Sequence, residues 1–155
     1  MRGRACRSRP ASARASEEGG NLAVFLPAKF DVYPDLLEAA GYHVGSTRKG
    51  WAPGNFASGG RRRQPAGPVF PNFAAFLAAR PADAPFCFWF GSQDPHRPYE
   101  QGSGARSGLE LDSVVVPPFL PDTPEVRSDL LDYYFEVQRF DREVGGILQQ
   151  LEKMG

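Results

Sequence analysis

The sequence lacks the features that mark several large protein classes. It has two cysteines among 155 residues, too few for a disulfide framework. Its formal net charge is zero, so bulk electrostatics give no reason to expect a nucleic acid or a membrane surface as a partner. No apolar run approaches the roughly 18 residues that cross a bilayer. Disulfide-stapled, membrane-spanning and strongly basic nucleic-acid-binding proteins are therefore not expected.

The composition that remains is typical of a globular domain. The hydrophobic fraction is 41%, and the frequent glycine (17) and proline (15) predict long loops between few regular elements. Residues 1–20 differ, because they are rich in Arg, Ala and Ser and have no apolar core of a signal peptide. They are interpreted as a disordered tail or misread coding sequence, with a transit-like segment as the alternative. Residues 21–155 are predicted to form the folded part.

The first folded segments alternate between helix and strand. A short helix is predicted over residues 35–40, because Pro34 suits a helix start and Gly41 a helix end. A strand is predicted over residues 42–47. The loop over residues 48–67 is long enough to indicate a functional or disordered segment.

The next segments repeat that alternation. Asn72 is expected to cap a helix that Pro81 ends. The unbroken apolar run over residues 86–90 is typical of a strand covered on both faces in a parallel sheet. A brief strand is predicted over residues 113–116, where the following prolines block its continuation.

The last helix has the strongest pattern. Thr123 is expected to cap it, Pro124 to occupy its first position, and an apolar stripe to run as far as Leu151. The Gly145-Gly146 pair inside it predicts close packing or a bend. The order of elements predicts an α/β fold, with a mostly parallel sheet flanked by helices.

Two side chains suited to binding anions follow the two main strands. Lys49 comes after the first strand, and His96 lies in the loop after the second. Ligands of parallel sheets bind beyond the carboxyl ends of the strands, where Arg48, Asp94 and Arg97 also fall. Lysine and histidine together can hold an oxyanion and protonate a leaving oxygen. The residues alone predict an anion site, with a structural histidine and a solvated lysine as the alternatives.

Four blocks, in order, resemble the sulfatase family of the alkaline-phosphatase-like superfamily. The resemblance spans about residues 17–155. Within the family, the sequence of these blocks resembles the heparan N-sulfatase-like subgroup. The blocks are residues 31–45 with the following Lys49-Gly50-Trp51, residues 86–99 with their PH turn, residues 117–124, and residues 141–155 (DREVGGILQQLEKMG).

The resemblance implies a site and a partner. Lys49 matches the family lysine that grips the sulfate oxygens, and His96 matches the histidine near the leaving oxygen. The implied partner is a sulfated small molecule or glycan. Secreted, periplasmic or lysosomal location is usual in the family, although no signal peptide is visible in this chain. Arg48 departs from the pattern, because the family usually has glycine there.

The resemblance also implies a nucleophile and calcium ligands that have no match in this sequence. Sulfatases use as nucleophile a cysteine or serine of a C-x-P-S-R motif that has been oxidised to formylglycine, and they bind calcium through aspartates and an asparagine. Here Cys6-Arg7-Ser8-Arg9-Pro10 holds similar letters in another order. Calcium and formylglycine are therefore expected in the complete family enzyme, but no residues of this chain support them.

The expectation is a central fragment of a sulfatase, incomplete at both ends of its sheet. Its parent would cleave sulfate esters or sulfamates, and the isolated chain would be inactive. The alternatives are a degenerate relative that binds sulfated ligands without turnover, and another phosphoryl- or sulfuryl-transfer enzyme of the superfamily. Exposed sheet edges in such a fragment also predict self-association.

Overall fold

A computed structural model describes residues 25–51 and 54–155. The chain divides into two compact units, Met1–Gly91 and Ser92–Gly155. The predicted basic segment of residues 1–20, with Cys6, lies outside the described residues.

The two helices of the first unit begin at local caps. Helix α1 spans Tyr33–Ala39, with Pro34 in its first turn and the Asp35 carboxylate accepting the Val32 N–H at 3.3 Å. It begins two residues before the predicted helix. Helix α2 spans Phe73–Ala79, and the Asn72 side chain accepts the Ala75 N–H at 2.8 Å. This bond confirms the predicted cap.

The strands of the first unit pair in parallel. Strand β1 spans His43–Arg48 and strand β2 spans Phe86–Gly91, in register from His43 opposite Phe86 to Arg48 opposite Gly91. Both strands extend one residue beyond their predicted ends. A parallel pair of strands with helix α2 in the connection agrees with the α/β class.

An aromatic cluster forms the core between α2 and the sheet. Phe76 is fully buried, and the rings of His43, Phe70 and Phe88 lie 4.6–5.3 Å from its ring, centroid to centroid. The His43 ring stacks on Phe76, and its Nε2 lies 3.3 Å from the Phe76 carbonyl oxygen, so this histidine is structural. The expectation of a strand covered on both faces is wrong at Trp89, which is 44% exposed. Alternation places Phe88 on the α2 side and Trp89 on the opposite face.

The second unit consists of helices and turns. Helix α3 spans Ser103–Arg106, a 3-10 turn spans Leu111–Ser113, and helix α4 spans Pro124–Glu152. The Thr123 hydroxyl accepts the Val126 N–H at 3.4 Å, which confirms the predicted cap of α4. In the part of the chain that the structure describes, no helix is long and apolar enough to cross a membrane.

One expectation for the second unit is wrong. The brief strand over residues 113–116 is absent, because Ser113 and Val114 donate their N–H groups to Glu110 and Leu111 in a turn. Of the close packing or bend expected at Gly145-Gly146, the close packing is absent, since a Cβ added at either glycine meets no atom within 4 Å. Helix α3, which the sequence did not predict, is held by Asp132, whose buried carboxylate accepts the N–H groups of the Gly102 and Gly104 backbone at 2.8 Å.

Candidate functional site

Lys49 directly follows the last residue of β1, and hydrogen bonds hold its backbone on both sides. Its N–H donates to the Gly91 carbonyl at 3.3 Å, which continues the parallel ladder by one residue. Its carbonyl accepts the indole N–H of Trp89 at 2.9 Å. The origin of the Lys49 side chain is therefore fixed at the carboxyl end of the two strands.

The segment after Lys49 is fixed through Gln64. The Gln64 side-chain oxygen accepts the Trp51 N–H, and its amide nitrogen donates to the Ser46 hydroxyl, both at 3.0 Å. Ser46 lies in the middle of β1 and is fully buried. One glutamine side chain therefore ties the loop after Lys49 back to the strand before it.

Arg48 has a backbone conformation that glycine adopts more easily than arginine. Its φ is +52°, in the left-handed region that costs an L side chain about 1–2 kcal/mol. The guanidinium lies 5.6 Å from the centroid of the Phe90 ring, a cation–π contact that offsets part of this cost.

A pair of substitutions separates the two effects at Arg48. Both Arg48→Ala and Arg48→Gly lose the contact with Phe90, but only glycine relieves the backbone. We expect Arg48→Gly to exceed Arg48→Ala in free energy of unfolding by about 1 kcal/mol, measured by urea denaturation. Equal stabilities would mean that the left-handed turn carries no strain.

His96 lies in the turn that opens the second unit. Its backbone N–H donates to the Gln93 carbonyl at 3.1 Å, and its ring Nδ1 lies 2.5 Å from the Arg97 carbonyl oxygen. The side chain is exposed. Among the residues that the structure describes, the ring nitrogen Nε2 has no partner, so it is the nitrogen that can face a ligand.

Ion pairs with α4 fix this turn on both sides of His96. Arg139 binds the Asp94 carboxylate through two hydrogen bonds of 2.9 and 2.7 Å, and it also pairs with Glu136 at 2.9 Å. Burial, together with a hydrogen bond to Asp94, raises the pKa of Glu136. Arg97 pairs with Asp129 and lies 4.4 Å from the centroid of the Tyr99 ring. Asp94 and Arg97, grouped with the site by the sequence, thus make structural contacts.

The second unit also contains a cavity of about 500 Å³, lined in part by Glu125, Asp129 and Asp132. Asp129 pairs with Arg97, and Asp132 accepts backbone N–H groups. The carboxylates of Asp129 and Asp132 therefore support the fold of this unit.

The two residues predicted to bind sulfate belong to different units. Lys49 lies in the first unit and His96 in the second. Gln64 and Trp89 could not be recognised from the sequence, because both contact the Lys49 segment from distant positions along the chain. Over residues 25–51 and 54–155, no three or more His, Cys, Asp or Glu side chains form a group that could hold a metal ion. The described residues therefore do not fit calcium.

The parallel strands and the helices around them agree with an α/β fold. A sulfatase-like relationship is suggested by sequence similarity to human N-sulphoglucosamine sulphohydrolase, with 35% identity over 95 residues. The match covers 47% of this chain and 19% of the human protein, so the chain spans about a fifth of the curated relative's length. No protein-family model and no solved structure matches the chain. The similarity supports a sulfatase-type, hydrolase-like relationship at the level of the family and nothing finer.

Proposed function

We propose that this chain is the sulfate-binding part of a sulfatase-type hydrolase that acts on sulfate esters or sulfamates. The observation that carries the proposal is the 35% identity with human N-sulphoglucosamine sulphohydrolase. In this proposal Lys49, of the first unit, and His96, of the second, are the sulfate-binding residues. The substrate class is a sulfated sugar or glycan, in keeping with the name of the human relative.

Lys49 would supply fixed positive charge. A lysine ammonium donates up to three hydrogen bonds, and such bonds to an anion are about twice as strong as neutral ones. The backbone bonds from Trp89 and to Gly91 support this role, because they fix the point from which the side chain extends. A fixed cation stabilises negative charge as it develops on a sulfate oxygen.

His96 would act near the leaving group. Its Nδ1 lies against the Arg97 carbonyl oxygen, which favours a proton on Nδ1. In the imidazolium form Nε2 can donate a proton to the departing oxygen or nitrogen. We expect the isolated chain to bind sulfate without turnover, since the nucleophile and the calcium ligands of the family have no match among the described residues.

The test is a titration of the full 155-residue chain with sodium sulfate at constant ionic strength, followed by ¹H–¹⁵N NMR. Lys49→Gln is expected to weaken sulfate binding about tenfold or more, the usual loss for one charge-assisted hydrogen bond. We expect His96→Gln to weaken it by a similar factor.

Lys153→Gln is the matched control, because Lys153 is an exposed lysine that follows α4. It should leave sulfate binding unchanged apart from a small general charge effect. Equal losses in Lys49→Gln and Lys153→Gln would indicate nonspecific attraction and would contradict the proposal.

A further inference from the structure

We infer that Trp89 and Gln64 are positioning residues for Lys49, which hold the backbone around it so that its ammonium reaches the sulfate. This inference rests on the proposed function of Lys49. It adds two residues that touch no substrate and act only through the lysine.

Trp89 is placed for this task rather than for packing. Its side chain is 44% exposed on the face of β2 opposite α2, so burial alone does not account for a tryptophan there. In the sheet it lies opposite Ser46, and its indole reaches past the end of β1 to the carbonyl of Lys49, three residues after Ser46. The bond is 2.9 Å long and involves the indole's only polar atom.

Gln64 holds the other side of the same turn. Its oxygen accepts the Trp51 N–H and its nitrogen donates to Ser46, so both ends of the amide are bonded. Gly50, between Lys49 and Trp51, lies so close that a Cβ there would be 2.5 Å from the Gln64 oxygen. The turn is thus packed directly against this side chain.

Fixing the backbone matters because the lysine side chain has four rotatable bonds. A charged group has to stay within about 0.5 Å of its productive position to keep its full effect. Any movement of the Lys49 backbone moves the ammonium group as well, in addition to the movement of the side chain itself. Loss of either anchor should therefore weaken sulfate binding while the sheet remains folded.

The first test is Trp89→Phe, which removes the N–H and keeps an aromatic ring. We expect sulfate binding about fivefold weaker, from a titration with sodium sulfate. Tyr33→Phe is the control, because it removes one polar hydrogen from a half-exposed aromatic ring of α1, outside the turn around Lys49. In a Lys49→Gln background, Trp89→Phe should have no further effect, which a general loss of stability would not reproduce.

The second test is Gln64→Met, which keeps the length of the side chain and removes both hydrogen bonds. We expect about fivefold weaker sulfate binding and about tenfold faster hydrogen exchange at the Trp51 amide. Exchange at Val44 in β1 should stay unchanged. Gln149→Met, at an exposed position on α4, is the control.

The outcomes separate this inference from the proposed function. If Lys49→Gln weakens sulfate binding and neither Trp89→Phe nor Gln64→Met does, the positioning role is wrong and the proposed function stands. If Lys49→Gln itself has no effect, the proposed function fails and the positioning role fails with it. If Trp89→Phe unfolds the chain, Gln64→Met decides the result.

Discussion

Replacing Gly91 with alanine is expected to lower the free energy of unfolding by about 3 kcal/mol, near the upper end for overpacking. A Cβ at Gly91 would lie 1.9 Å from the Lys49 carbonyl oxygen and 2.5 Å from its carbonyl carbon. Those atoms belong to the backbone, so no side-chain rotation relieves the clash. The end of β2 and the turn that carries Lys49 must then separate.

The same substitution is expected to remove most sulfate affinity, because it displaces the Lys49 backbone and breaks its bond to the Gly91 carbonyl. Urea denaturation measures the stability, and a sodium sulfate titration of the folded fraction measures the binding. Gly145→Ala is the matched control, because an added Cβ there meets nothing within 4 Å. In the middle of α4 it should stabilise the chain by up to about 1 kcal/mol.

A destabilisation at Gly91 no larger than 0.5 kcal/mol, taken as about the limit for an ordinary surface substitution, would mean that β1 and β2 are less closely joined at their carboxyl ends than described. Normal stability with lost sulfate binding would place the whole effect in the turn at Lys49. Loss of stability with full sulfate binding would contradict the role of Lys49.

Phe76→Ala is expected to lower the free energy of unfolding by about 4 kcal/mol, the usual loss for a buried phenylalanine. Phe76 is fully buried and lies at the centre of the aromatic cluster between α2 and the sheet. Gly45 in β1 is so close that a Cβ there would be 2.6 Å from the Phe76 ring. Removing the ring leaves a cavity that the rigid strand cannot close.

The control for Phe76 is Phe119→Ala, because Phe119 is 81% exposed. It should change the free energy of unfolding by less than about 0.5 kcal/mol. Both variants are compared with the parent chain by thermal and urea unfolding. Similar small losses in the two would show that the aromatic cluster is not the core of the first unit.

Features of the fold that depend on residues close together in the sequence could be predicted from it. Asn72 and Thr123 cap their helices through bonds to residues three positions away, so the local pattern was sufficient. Helix α3 could not be predicted in this way. Its first turn depends on Asp132, 30 residues from Gly102, and a carboxylate in a long helix gives no sign of that contact.

In the candidate site, too, local features could be predicted from the sequence and long-range contacts could not. The place of Lys49 after a strand followed from the apolar pattern and the resemblance to sulfatases. Its anchoring did not, because Trp89 is 40 residues away and reaches it by crossing from the neighbouring strand. Gln64 was equally hidden, since it lies in a loop rich in Gly and Arg with no periodicity. Tertiary hydrogen bonds of this kind have no counterpart in local sequence patterns.

The position of the two tryptophans has a practical consequence. The chain has only two, Trp51 and Trp89, and each is bonded to the turn around Lys49 through its backbone or its ring. The intrinsic tryptophan fluorescence of the chain therefore originates beside that lysine. In Trp51→Phe, all tryptophan emission would come from the half-exposed indole of Trp89. Its wavelength and its quenching by iodide would then report the state of this one turn without any added label.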